Sequence, residues 1–258
     1  MKQKITKAVI LCGGYGTRML PYTKSHPKEM LPILTTPALQ LIIEQAVDAG
    51  IEDFFIVISP NKESIVNHLK DMFPTVKISY GIQNKMEGTG PATMVAKDFI
   101  GREPFLLIYP DELVLEQNLY QTLINDFNQN QSSCLSAYQI PLSDAKKYGI
   151  LIPNGNNKTK GIVEKPQGTP PSNLASLGTC VLVPEILDLI GEHSADGHEV
   201  FLTDAISKLP NLRYVEITGK RFDLGNPLGF AKANAYVAMQ KLPDFKVWLN
   251  ELVNHNLS

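Results

Sequence analysis

Most of the residues in this sequence that could act on a phosphate lie in a few short segments. Leu11-Cys-Gly-Gly-Tyr-Gly-Thr-Arg18 carries three glycines within four residues, at Gly13, Gly14 and Gly16. Such a run lets the backbone turn its N–H groups toward an anion. Arg18 adds a rigid cationic fork suited to phosphate, and Lys28, ten residues on in Pro27-Lys-Glu-Met-Leu-Pro32, adds a point charge. Asp111 in Tyr109-Pro-Asp-Glu112 and Asp223 in Arg221-Phe-Asp-Leu-Gly-Asn-Pro-Leu-Gly229 are two carboxylates that could hold one Mg²⁺ between protein and phosphate. Glu164 and Lys165 stand side by side before Pro166, an acid able to accept sugar hydroxyls and a cation able to meet a phosphate.

Each has an ordinary use as well. A glycine run can be a plain turn, a lysine is usually solvated, and an aspartate before Pro227 can cap a helix. Better-known phosphate patterns fail: the dinucleotide motif counted from Gly14 meets Met19 where a glycine is required, and the only Gly-Lys, at Gly219, is followed by Arg221. His198-Glu-Val-Phe-Leu202 starts like a zinc-protease helix but has Leu202 in place of the second histidine, and His193 and His198 are poorly spaced for one helical face. There is no Gly-x-Ser-x-Gly elbow, and Cys12, Cys134 and Cys180 all fall in apolar runs. With no evident nucleophile, the inventory fits a transfer in which one substrate attacks another while the protein supplies position and charge.

Strand and helix signals alternate through the first half. Strands are expected at Ala8–Cys12, Phe54–Ser59, Val76–Gln83, Phe105–Tyr109 and Cys134–Ile140. Helices are expected at Pro37–Ala49, Asn61–Lys70, Ala92–Ile100 and Glu116–Phe127. That alternation predicts a mainly parallel sheet covered on both faces, with ligands at the carboxyl ends of the strands. The second half gives short strands at Gly149–Ile152 and Gly161–Glu164 around an Asn154-Gly-Asn-Asn157 turn, then strands at Ala175–Val183 and Leu212–Ile217. Helices are expected at Glu199–Leu209 and Pro227–Lys241. With 258 residues and no interdomain linker, one domain is expected, its second half adding strands to the same sheet.

Composition excludes several classes. The 24 basic and 26 acidic residues leave a formal charge of −2, which gives no footprint for nucleic acid. The longest apolar runs, such as Ala8–Cys12, are too short to span a membrane or serve as a secretion signal. Three widely spaced cysteines read as small buried hydrophobes of a cytoplasmic protein.

Taken together, Gly14-Tyr-Gly-Thr-Arg-Met-Leu-Pro21, Thr23-Lys24 and Pro27-Lys-Glu-Met-Leu-Pro-Ile33 closely resemble the bacterial UTP–glucose-1-phosphate uridylyltransferases of the sugar-1-phosphate nucleotidylyltransferase family. The similarity continues in order through Tyr109-Pro-Asp111, Ile162-Val-Glu-Lys-Pro166, Ser172-Asn-Leu174, Leu202-Thr-Asp-Ala-Ile206 and Asp223-x-Gly-Asn-x-Leu-Gly229. The resemblance implies a Rossmann-like three-layer α/β sandwich with a mixed, mainly parallel central sheet and a smaller β-rich sugar-binding lobe. It implies a base pocket lined by Gly13, Gly14 and Gln83 with Gly88 beside it, and a triphosphate held by Arg18 and Lys28. It also implies Mg²⁺ on Asp111 and Asp223, a glucose site at Gly149, Glu164 and Gly178, and Lys165 on the sugar phosphate. UTP and glucose 1-phosphate are the implied substrates, in a homo-oligomer whose single domain has a nucleotide-binding half over about 1–140 and a sugar-binding half over about 141–258. One departure is Cys12-Gly-Gly-Tyr15, where uridylyltransferases usually have Ala-Gly-Leu; the double glycine is more like thymidylyltransferases, which leaves dTTP or another hexose 1-phosphate as the alternative within enzymes. A catalytically silent sugar-nucleotide-binding subunit is the alternative outside them.

Overall fold

The computed structural model describes residues 3–191 and 199–255. The strands are β1 (Lys7–Cys12), β2 (Pro32–Ile33), β3 (Thr36–Pro37), β4 (Asp53–Ile58), β5 (Lys77–Ile82), β6 (Phe105–Ile108), β7 (Glu112–Leu115), β8 (Cys134–Gln139), β9 (Gly149–Pro153), β10 (Thr159–Glu164), β11 (Leu174–Leu182), β12 (Arg213–Glu216) and β13 (Lys220–Asp223). The α-helices are α1 (Ala38–Asp48), α2 (Glu63–Leu69), α3 (Thr89–Met94), α4 (Lys97–Ile100), α5 (Leu119–Asn130), α6 (Ile186–Leu189), α7 (Leu202–Ile206), α8 (Pro227–Lys241) and α9 (Pro243–His255). None of the helices among the described residues is long and apolar enough to cross a membrane.

A nine-stranded sheet runs β10-β9-β11-β6-β1-β4-β5, with β8 on β11 and β12 on β8. The pairs β5–β4, β4–β1 and β1–β6 are parallel, as the strand–helix alternation requires. The second half joins through β11, which pairs antiparallel with β6, β8 and β9. β9, β10, β11 and β12 therefore extend the first half's sheet, and β9 and β10 form the hairpin expected around Asn154–Asn157.

Burial follows the two-residue period of a strand. Ala8, Ile10 and Cys12 of β1 join one core with Leu39, Ile42 and Ile43 of α1 and Leu123 and Phe127 of α5. Val9 and Leu11 face the other way, into a core with Ala92, Ile100, Ile186 and Leu202. Two apolar faces on one strand make the central sheet the middle of three layers. Each fully buried Leu, Ile or Phe contributes about 1.5–3 kcal/mol to holding these layers together.

Several boundaries differ from the sequence expectation for identifiable reasons. α1 starts at Ala38, because Pro37 pairs with Pro32 in a two-residue ladder before the helix begins. The helix expected at Ala92–Ile100 starts at Thr89 and is broken between Met94 and Lys97. That expected at Asn61–Lys70 is shortened to Glu63–Leu69. The helix expected from Glu116 starts at Leu119, where Asn118 accepts from the Gln121 N–H as cap; β7 ends at Leu115, and residues 116–118 make the turn between them. The Glu199–Leu209 helix is confined to α7. His193 and His198 lie outside the described residues.

β7 and β13 form a separate two-stranded antiparallel sheet, with Glu112 opposite Asp223. α8 then starts at once. Asn226 caps it by accepting from the Gly229 N–H at 2.9 Å, and Pro227 occupies the first turn. Gly229 packs so closely that an added Cβ would collide with the Asp223 carbonyl oxygen. Gly14, by contrast, has open space around its Cα. Gly229→Ala is expected to cost about 1–3 kcal/mol and lower the melting temperature by about 3–10 °C, while Gly14→Ala leaves melting within about 1 °C of the parent. Thermal unfolding of the two variants checks this, and equal melting temperatures would contradict it.

Candidate active site

The loop after β1 is held by contacts that only glycine allows at one point. Gly16 has φ +65, and a Cβ there would lie 3.0 Å from Thr23 and 3.3 Å from Lys28. Thr23 Oγ1 donates to the Gly16 carbonyl at 2.9 Å, folding the loop back so that Arg18 and Lys28 approach the same place. Gly13 and Gly14 border a cleft of about 220 Å³, with Lys28, Gln83, Gly88 and Asp111 on its other walls. Six residues singled out from sequence thus share one cavity.

Gln83 follows β5 and is buried. Its N–H donates to the Ile58 carbonyl at 2.8 Å. Its side-chain Nε2 donates to the Gly88 carbonyl at 3.1 Å, and its Oε1 lies 2.6 Å from where a Gly13 Cβ would stand. The amide therefore presents an acceptor at the cleft wall. Gly88 has φ +113, and a Cβ there would lie 2.5 Å from the Val200 carbonyl oxygen. The Gly90 N–H donates to that same oxygen at 3.0 Å, and the Val200 N–H to Glu87 at 2.8 Å, so this wall of the cleft is clasped by the chain leading into α7.

The acids meet the cations at the cleft's edge. Lys28 Nζ donates to Asp111 Oδ2 at 2.6 Å. Arg18 lies 3.9 Å from Asp111 and 3.8 Å from Asp223. The β7–β13 ladder brings the two aspartates together, and the Leu224 N–H donates to the Asp111 carbonyl at 2.7 Å. Asn226 takes the capping role open to Asp223, whose Oδ1 accepts from the Gly225 N–H at 2.9 Å. Burial works to raise the Asp111 carboxyl, but Lys28 and Arg18 outweigh it and hold it below the usual aspartate value. Burial likewise works to lower Lys28, and the Asp111 and Glu29 carboxylates hold it above its usual value. Next to this pair, burial pushes Glu112 up to about 7, opposed by its two hydrogen bonds from Arg221 at 2.8 and 2.6 Å. Arg221 also lies over the Tyr148 ring, 4.7 Å from its centroid.

Gly149, Glu164, Lys165 and Gly178 sit beyond this cleft. Gly149 pairs with Glu164 across β9 and β10, and a Cβ on it would come 3.0 Å from Glu164 Oε1. β10 ends at Glu164; Lys165 takes φ +41, and its N–H donates to the Tyr148 carbonyl at 3.0 Å. The strand's strict alternation stops there, so the neighbouring acid and lysine are not forced to opposite faces. Gly178, at φ +79, lies against the Tyr109 ring, 2.8 Å from its nearest carbon by the Cβ position. Tyr109 also lines the first cleft, and so connects the two groups of residues.

The profile of the nucleotidyl transferase family matches residues 7–240. The chain belongs to the nucleotidyl transferase family. Among its members, a UTP–glucose-1-phosphate uridylyltransferase of Bacillus subtilis is 38% identical over 92% of this chain and 92% of its own. A solved UDP-glucose pyrophosphorylase from Acinetobacter baumannii superposes with a TM-score of 0.86 at 30% identity, covering 96% of this chain and 99% of the other. A second pyrophosphorylase, solved with UDP-glucose, gives a TM-score of 0.85 at 31% identity, covering 92% of this chain and all of the other.

The candidate site also includes or adjoins residues that no sequence motif marks. Tyr109 lines the cleft beside Asp111, and the Glu112–Arg221 pair forms because the β7–β13 ladder brings the two residues together. Lys62 carries no local motif; its contacts are made across the fold. Gly225 stands in the Asp223-Leu-Gly-Asn226 segment, but its role is spatial. A Cβ there would lie 2.5 Å from Arg18 and 3.1 Å from an oxygen of each aspartate. Both carboxylates therefore face one point kept clear by the lack of a side chain. Gly225→Ala is expected to melt within a few degrees of the parent, because flexible side-chain ends can give way, yet to lose about 100-fold in transfer rate through misplacement of the charges. Pyrophosphate release beside a melting curve checks this; near-parental turnover would refute it.

Proposed function

We propose that this nucleotidyl transferase joins UTP to glucose 1-phosphate, giving UDP-glucose and pyrophosphate. The observation that carries this reading is the meeting of Lys28 and Arg18 with Asp111 and Asp223 at the edge of a cleft whose wall presents the Gln83 amide. The names of the B. subtilis relative and of the structural neighbours support it. A phosphate oxygen of the sugar 1-phosphate attacks the α-phosphorus of UTP, and the bond to the pyrophosphate oxygen breaks. No protein nucleophile is assigned: Cys12, Cys134 and Cys180 are buried, and burial pushes their thiols above the usual range.

In this reading Arg18 and Lys28 neutralise the triphosphate and the departing pyrophosphate. Lys165 meets the sugar phosphate, Glu164 accepts hydroxyls of the glucose, and Gly149 and Gly178 let the sugar approach the backbone. Gln83 Oε1 accepts the uracil N3–H, with Gly13, Gly14 and Gly88 shaping the base pocket. Asp111 and Asp223 would hold Mg²⁺. Their fit rests on two hard oxygen donors facing the space beside Gly225, a donor set that suits a cation sharing its remaining positions with phosphate and water. When bound, the ion supplies charge stabilisation at the reacting phosphate. Three unpaired buried cysteines suit a reducing compartment, and we assign the enzyme to the cytoplasm.

Pyrophosphate release measured with each nucleoside triphosphate and glucose 1-phosphate tests the reading; no release with any of them would favour a binding subunit. Cytosine offers an acceptor at N3 where uracil offers a donor, so CTP is expected to be rejected by about 1,000-fold or more in kcat/KM. Uracil and thymine differ by one methyl, and the double glycine of Cys12-Gly-Gly-Tyr15 favours a pocket tolerant of it. UTP and dTTP should accordingly differ by only ~10-fold to 100-fold. CTP used as well as UTP would sink the role of Gln83.

The metal assignment has its own measurement. Asp111→Asn and Asp223→Asn should each remain folded and lose about 100-fold or more in rate, a barrier increase of about 3 kcal/mol. Near-full turnover of Asp223→Asn at limiting Mg²⁺ would reduce Asp223 to a turn residue.

A further inference from the structure

Lys62 lies just before α2, away from the walls of the cleft, and is 7% exposed. Its ammonium donates to the Cys12 carbonyl at 2.6 Å, to the Gly14 carbonyl at 2.9 Å, and to both oxygens of Glu29 at 3.1 and 3.0 Å. Glu29 is 1% exposed and is the neighbour of Lys28 in one short turn. A lysine ammonium has three protons, and this arrangement uses all of them. A buried charge pair with every donor engaged is a fixed point, since losing either partner strands the other in a medium that does not solvate it.

The two carbonyl contacts set the direction of the glycine loop. A trans peptide points its C=O and the following N–H in opposite directions. With Cys12 and Gly14 carbonyls drawn to Lys62, the N–H groups of Gly13 and Tyr15 point away from it. Neither N–H donates to another described residue. The Glu29 contact meanwhile ties that loop to the turn carrying Lys28, which reaches Asp111. One ammonium thus fixes both the backbone and the side-chain donors offered to a phosphate.

We propose that Lys62 is a positioning residue for nucleotidyl transfer, turning two amides of the glycine loop toward the triphosphate and locking that loop to the turn that bears Lys28. The proposal rests on UTP occupying this cleft. Turnover of UTP by the parent enzyme reports on that reading alone, whereas the ratio of variant to parent reports on Lys62.

Lys62→Met keeps the length of the stem but strands Glu29, so Lys62→Met with Glu29→Gln is made beside it to remove the buried charge. We expect both to raise the KM for UTP and to lower kcat/KM for UTP by about 30-fold to 100-fold, with the KM for glucose 1-phosphate unchanged within about 2-fold. The double variant should recover melting temperature lost by the single one without recovering the KM for UTP. If the single variant does not fold, the double variant decides. A folded double variant with the parental KM for UTP, or equal rises in both KM values, would overturn the proposal and leave Lys62 a stabilising ion pair only.

Discussion

Two like charges held side by side are the constraint around which this site is organised. Asp111 and Asp223 come from distant parts of the chain and face one point beside Gly225. Paired carboxylates repel, and partial burial strengthens the repulsion. The short β7–β13 ladder forces them together all the same, with Glu112 in register with Asp223 and Leu224 bonded back to Asp111. Such an arrangement persists only if cations answer it, and Lys28 at 2.6 Å and Arg18 just under 4 Å do so.

That requirement passes to the loop between β1 and β2. Both cations lie on it, in short 3₁₀ turns at Thr17–Met19 and Lys28–Met30, so the path that joins those turns must be fixed. Glycine conformations, the Thr23 contact and the buried Glu29–Lys62 pair provide the fixing. In the proposed reaction, the groups that balance the carboxylates are also the ones that engage the triphosphate. Their charges are thus placed before any substrate arrives, and little reorganisation is left for the transfer itself. The antiparallel half of the sheet carries Glu164 and Lys165, outside the walls of that cleft, where the proposed function places the second substrate.

The sequence by itself determined the alternating α/β order, the two-faced burial of β1 and the segments at the strand ends where the polar groups gather. Those are consequences of local periodicity and turn chemistry, and they survive in the structure because the core obeys the same periods. Gly13, Gly14, Lys28 and Asp111 stand in short motifs of unusual composition, while Gln83 and Gly88 are named only by the family resemblance; all six line one cleft.

Only the tertiary structure decided how those motifs combine. The four-residue strands β7 and β13 have no periodicity long enough to read, yet their register brings Asp111 and Asp223 together. Lys62 looks like any surface lysine in the sequence; its charge becomes a structural element because folding removes it from water beside Glu29 and two carbonyls. Burial and long-range register are properties of neighbours distant along the chain. A local pattern can name the groups that do chemistry, but which of them meet depends on the packing of the whole sheet.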